Sequence, residues 1–150
     1  MSLTIKGFIT TEMRKNGDRV GFEIKTFSKD QTALIAHDDE IKSSMKVGKY
    51  SVNIENFETY ALPEIKDKCD IRLIDEIGKM ECFSDKFIKA MRELLQDKKE
   101  LVVATISQKV EGFISEVKKN PDVDLIEITR HNRDQIPQML YSKIEKFLKT

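Results

Sequence analysis

The chain has 150 residues, 39% apolar and 35% charged, which is enough apolar content for a core of domain size. Its 26 acids balance its 26 bases, which excludes nucleic-acid binding driven by bulk charge and leaves only a local basic patch open. No apolar run approaches the roughly 20 residues of a membrane span, the N-terminus lacks a signal-peptide pattern, and Cys69 and Cys82 make neither a disulfide framework nor a close metal pair. The expectation is a single domain over residues 1–150, cytoplasmic, with reduced thiols.

Thr4–Thr11 is β-rich and opens the domain. Asn16-Gly17 is a strong hairpin signal. Val20, Phe22 and Ile24 alternate with Gly21, Glu23 and Lys25, the period of a half-buried strand. Thr32–Ala36 reads as a third strand, so the N-terminal part predicts an antiparallel meander. His37–Lys46 is polar and reads as a loop, and Tyr50–Asn53 as a short extended piece. Ile54, Phe57, Ala61, Leu62 and Ile65 recur at helical spacing over Ile54–Lys66, with Asn53 as N-cap and Pro63 late enough to bend the helix.

From Cys69 the pattern changes to alternating strands and helices. Strand Asp70–Ile74 precedes helix Ser84–Gln96, capped by Ser84 and apolar along Phe87, Ile88, Met91, Leu94 and Leu95. Leu101–Ile106 is a near-continuous apolar strand, as in a sheet buried on both faces. Helix Val110–Lys119, strand Leu125–Ile128 and helix Asn132–Leu148 follow, the last expected to bury Ile136, Met139, Leu140, Ile144 and Phe147. Successive βα units imply a parallel sheet with right-handed crossovers. Arg72 breaks the apolar pattern of its strand. Either the face it points to is open or it pairs with an acid, because burying it unpaired would cost several kcal/mol.

The chemistry concentrates at Asp75-Glu76, which follow the apolar run Ile71, Leu73, Ile74 and precede Gly78. In open α/β sheets ligands bind beyond the carboxyl ends of the strands. Two acids there suit Asp75 as a ligand to Mg²⁺ and Glu76 as the base that aligns an attacking water; a strand that simply ends in acids looks the same. Gly78 sharpens the functional reading by permitting a tight turn beside the acids. Thr105, near the end of its strand, can touch a γ-phosphate or the attacking water, although threonine is also an ordinary β-former. Arg130, His131 and Arg133 can hold phosphate or stack on a base; equally, the segment is a helix start capped by Asn132. His37 and His131 lack metal-ligand spacing. The phosphate-cradling pattern G-x-x-x-x-G-K-S/T is absent: Gly48-Lys49 is followed by Tyr50, and Ser43 stands where the earlier glycine belongs.

With these residues the chain resembles the THEP1 family of nucleoside-triphosphatases. The matching segments are Gly7–Arg14, Arg19–Phe22, Val47–Tyr50, Ala61–Pro63, Asp75–Glu81, Ala104–Ile106 and Asn132–Asp134, in the family's order. The resemblance implies an α/β fold with a RecA-like, P-loop NTPase-type sheet, helices on both faces and an antiparallel N-terminal meander. It implies Mg²⁺-dependent hydrolysis of ATP, GTP and other nucleoside triphosphates with little base preference. Asp75 would be the Walker B metal-site acid, Glu76 the general base and Thr105 a polar sensor, with Asn132 and Arg133 as nucleotide contacts. In the family a strand, phosphate loop and helix, about 30 residues as such units go, precede the segment matching Gly7, and this first strand and P-loop are absent from the sequence. A vacant inner strand position would expose unpaired backbone edges, for which a homo-oligomer through the open sheet edge is one remedy. A catalytically dead relative acting by association and a nucleotide kinase-like protein of the same fold are the alternatives.

Overall fold

The computed structural model of the chain describes residues 2–150. The chain divides into two compact units, Met1–Ser115 and Glu116–Thr150.

The first unit is built on a mixed sheet of β1 (Ile5–Lys15), β2 (Asp18–Thr26), β3 (Thr32–His37), β4 (Lys46–Val47), β5 (Tyr50–Val52), β6 (Ile71–Ile77) and β7 (Val102–Ile106), in the order β4-β5-β3-β2-β1-β6-β7. β1, β2 and β3 form the antiparallel meander that the alternation predicted. Its first turn has Asn16 at φ 54° and Gly17 at φ 83°, the pair of positive angles that a tight hairpin of matching twist requires. β1, β6 and β7 run parallel.

Two helices, α1 (Ile54–Lys66) and α2 (Asp85–Gln96), pack on the sheet and on each other. Asn53 caps α1 by accepting from the Asn56 N–H at 2.9 Å, and Ser84 caps α2 by accepting from the Phe87 N–H at 3.0 Å. Phe8 of β1, Phe57 of α1 and Phe87 of α2 meet edge to face with ring centroids 5.4 to 6.3 Å apart. Ile24, Ile35, Ala61, Ile65, Ile74 and Met91 complete this core.

Arg72 is 1% exposed, and its partners are now visible. Its guanidinium donates to the carbonyls of Glu64 and Asp67 at the end of α1, and lies 3.4 Å from the Glu100 carboxylate. The carbonyls at a helix C-terminus have no partner within the helix and carry partial negative charge, so they hold the two terminal nitrogens of this buried cation, while its Nε has no partner among the described residues.

β7 departs from expectation. Among the described residues it ends the sheet, pairs only with β6, and leaves Ala104 and Thr105 exposed, so an apolar run that suggested burial on both faces belongs to an edge strand. β6 also runs on through Asp75 and Glu76 to Ile77.

α3 (Gly112–Lys119) spans the boundary between the units. In the second unit Leu125–Ile128 is not a strand: Leu125 is 50% and Ile128 55% exposed, with no ladder partner among the described residues. A strand exists only where a neighbour takes its N–H and C=O groups. α4 (Ile136–Leu148) starts four residues later than the sequence suggested. It buries Ile136 but leaves Met139 and Phe147 exposed, and Leu140 and Ile144 only half-buried. An apolar stripe states what a helix can bury, and this unit offers little for it to pack on. Among the described residues no helix is long and apolar enough to cross a membrane.

Candidate active site

The site is made where β6 and β7 lose register. Ile74 faces Ala104 and Ile77 faces Ile106, so Asp75 and Glu76 together oppose Thr105. Two residues against one is a β-bulge, a device that re-aims side chains near the end of a strand. The Asp75–Glu76 peptide bond is cis. The Thr105 hydroxyl donates to Asp75 Oδ1 at 2.6 Å, and from the other neighbour the Thr10 hydroxyl donates to the Asp75 carbonyl at 3.1 Å. Asp75 and Glu76 are half-buried and Thr105 is exposed.

A further carboxyl closes on this pair. After β6 the chain turns at Gly78 into a short 3-10 turn, Glu81–Phe83, that buries Glu81 to 1% exposure. Glu81 Oε1 accepts from the Gly78 N–H at 3.2 Å, while its Oε2 has no partner among the described residues. A Cβ on Gly78 would lie 2.9 Å from both Glu76 Oε1 and Glu81 Oε1, so a larger residue there would displace one of these two carboxylates. Burial, and then the Asp75 charge, raise the Glu76 pKa above the ordinary carboxylate range. Burial pushes Glu81 to about 8, with the Glu76 and Asp75 charges adding, against the lowering effect of the backbone N–H groups it faces. Sequence reasoning included Glu81 in the motif but gave it no role. Its position three residues after Gly78, within reach of the N–H groups of the turn, was the available signal.

Asp75 and Thr105 offer hard oxygen donors on adjacent strands. Mg²⁺ takes one or two carboxylates and fills its octahedron with water and phosphate oxygens, so this donor set fits Mg²⁺. A cage of three or more His, Cys, Asp or Glu groups is absent among the described residues.

The structure brings Asp75, Glu76 and Thr105 together. Asn132 and Arg133 belong to the second unit. There the Asn132 amide closes a turn, accepting from the Thr129 N–H at 2.7 Å and donating to the Glu127 carbonyl at 2.8 Å. It does not cap α4, whose N-cap is Gln135 with no side-chain bond. Arg133 is exposed.

A family model described as NTPase matches residues 1–141. The nucleoside-triphosphatase THEP1 of Natranaerobius thermophilus is 37% identical over 153 residues, covering 99% of this chain and 85% of that protein. The chain belongs to the THEP1 family. A mouse cancer-related nucleoside-triphosphatase homolog is likewise 37% identical, covering 89% of this chain and 77% of its own. The crystal structure of THEP1 from Aquifex aeolicus matches with a TM-score of 0.83 at 34% identity, covering 95% of this chain and 84% of that one. The solution structure of a human cancer-related nucleoside triphosphatase matches with a TM-score of 0.76 at 29% identity, covering 95% and 82%. This chain therefore has the α/β, P-loop NTPase-type fold.

The buried Glu81 makes stability depend on pH. Its folded pKa of about 8 lies above the ordinary 4.5, so the folded state holds a proton that the unfolded state releases. Its contribution is fully present below pH 4.5 and is lost as pH rises through about 8. Glu81→Gln removes this dependence. Relative to the parent, the variant gains a few kcal/mol between pH 5 and pH 8, on the scale of about 1.4 kcal/mol per pKa unit. Urea unfolding of both proteins at the two pH values measures it, and parallel pH trends would remove Glu81 as the cause.

Proposed function

We propose that this chain is a nucleoside-triphosphate phosphohydrolase of the P-loop NTPase class, converting ATP or GTP to the diphosphate and phosphate with Mg²⁺ in the cytoplasm. One observation carries the reading: the 2.6 Å bond from Thr105 to Asp75 at the bulge, beside Glu76, in a chain whose relatives are named nucleoside-triphosphatases. Asp75, oriented by Thr105, would hold Mg²⁺, which when bound neutralises charge on the phosphates. Glu76 accepts a proton from a water aligned with the γ-phosphorus. The water oxygen bonds to phosphorus as the bond to the bridging oxygen breaks and the diphosphate leaves with that electron pair. A carboxylate whose pKa is raised toward neutrality is the better base for this transfer. Arg133 presents a guanidinium suited to phosphate oxygens, and Asn132 acts by holding the Glu127–Asn132 turn.

The test is phosphate release from ATP and from GTP with and without Mg²⁺, alongside Asp75→Asn. The expected result is metal-dependent release from both nucleotides, lowered about a hundred-fold or more in the variant, the scale of losing one electrostatic stabiliser of the transition state. The free edge of β7 favours the rival reading, a catalytically dead chain acting by association. That reading requires no release from either nucleotide and self-association in light scattering.

A further inference from the structure

A cleft in the first unit lies away from the acids. β1 passes them, with Ile9 opposite Asp75, and continues to Lys15. Arg14 is therefore roughly 17 Å further along the strand, at about 3.4 Å per residue. There the β1–β2 hairpin and the β4–β5 turn enclose a solvent-open cleft of about 540 Å³, lined among others by Arg14, Lys15, Asp18, Arg19, Lys49 and Tyr50. That volume is in the range of small-molecule sites.

Its two arginines are held in place. Arg19 donates through Nη1 to Glu12 at 3.1 Å and through Nε to the Tyr50 hydroxyl at 3.0 Å. Its guanidinium lies 5.1 Å from the Phe22 ring centroid and 5.3 Å from that of Tyr50. Arg14 donates to the same Glu12 carboxylate at 2.7 Å and to the Gly17 carbonyl at 2.9 Å. Two guanidinium groups thus share one carboxylate, and with Asp18 and Asp38 counted against Lys15 and Lys49 the cleft keeps one net positive charge. Across the cleft Lys49 pairs with Asp38 at 3.7 Å, and Lys15 stands at the rim. A hairpin brace needs only the Glu12 network. It does not need Lys15 and Lys49 at the rim. Guanidinium groups fixed before a ligand arrives lose little freedom on binding, and their planar forks match phosphate oxygens.

We propose that this cleft is a second ligand site, one that binds a phosphate-bearing small molecule. It stands whether or not the acid pair hydrolyses nucleotide.

Isothermal titration without Mg²⁺ tests it, because the unshielded acids then repel anions. Pyrophosphate and ADP are the probes, against the parent chain, Lys15→Gln/Lys49→Gln and Glu76→Gln, with circular dichroism to confirm folding. The expected result is binding that weakens with salt, falls at least ten-fold in the double variant and is unchanged in Glu76→Gln. Amide shifts in NMR are expected at Gly17 and Lys49. Tighter binding of ADP identifies a nucleotide, and equal binding identifies the free anion; both support the site. No saturable binding to the parent, undiminished binding in the double variant, or shifts confined to Asp75–Gly78 overturns it.

Discussion

Gly7→Ala breaks the sheet at its centre. Gly7 sits at φ +125°, and a Cβ there would lie 1.7 Å from the Leu73 carbonyl oxygen, 2.6 Å from its carbonyl carbon and 2.9 Å from its nitrogen. All of these are backbone atoms of the paired strand β6, so no side chain can rotate away. Relief requires parting β1 from β6 along Ile5–Ile9 and Ile71–Asp75. That movement pulls Phe8 from its contacts with Phe57 and Phe87 and removes the Thr10 bond to the Asp75 carbonyl. The expected loss exceeds about 4 kcal/mol, the exceptional end of single substitutions, against a total stability of about 5–15 kcal/mol for a domain. Gly17→Ala is the control. Gly17 is also at positive φ, 83°, but has nothing within 4 Å of a new Cβ, so its cost is confined to backbone strain of about 1–2 kcal/mol. Urea unfolding followed by circular dichroism measures both variants. A Gly7 variant as stable as the Gly17 variant would show that β1 and β6 do not approach this closely.

The second large effect is on turnover. Glu76→Gln keeps the shape of the side chain and removes its ability to take a proton. Phosphate release is expected to fall by about 10²–10⁴-fold, the range for a general base. Asp75 and Thr105 are untouched, so KM and the Mg²⁺ requirement should change little while kcat falls. The pH profile separates this role from a structural one. Burial and the Asp75 charge raise the Glu76 pKa, and the active form is the deprotonated one. The parent rate should therefore climb with pH through a point above the ordinary carboxylate value, and the variant should lack that limb. Equal rates in parent and variant would remove Glu76 from the mechanism.

These two sites differ in how far the amino-acid sequence exposes them. The acids at 75 and 76 were readable because an apolar run meeting two carboxylates and a glycine is a local pattern. The hairpin at Asn16-Gly17 and the caps Asn53 and Ser84 were readable for the same reason: each is settled between a side chain and backbone a few residues away. The need for Gly7 was not, because the atom it makes room for is the carbonyl of Leu73, far along the chain. Nor was the burial of Glu81, which depends on how the turn after β6 folds back beside Glu76.

The sequence by itself determined the period-two strands of the meander, the two capped helices, the motif that marks the family and the position of the paired acids within it. Tertiary structure alone decided that Leu125–Ile128 is no strand, that β7 is an edge, that Arg72 is bound by the carbonyls ending α1, and that Thr105 reaches Asp75 across a bulge. The physical reason is common to all four. Periodicity and capping report what a segment can bury or bond within a few residues, whereas ladder partners, buried ion pairs and the convergence of carboxyl groups depend on what the rest of the chain places beside it.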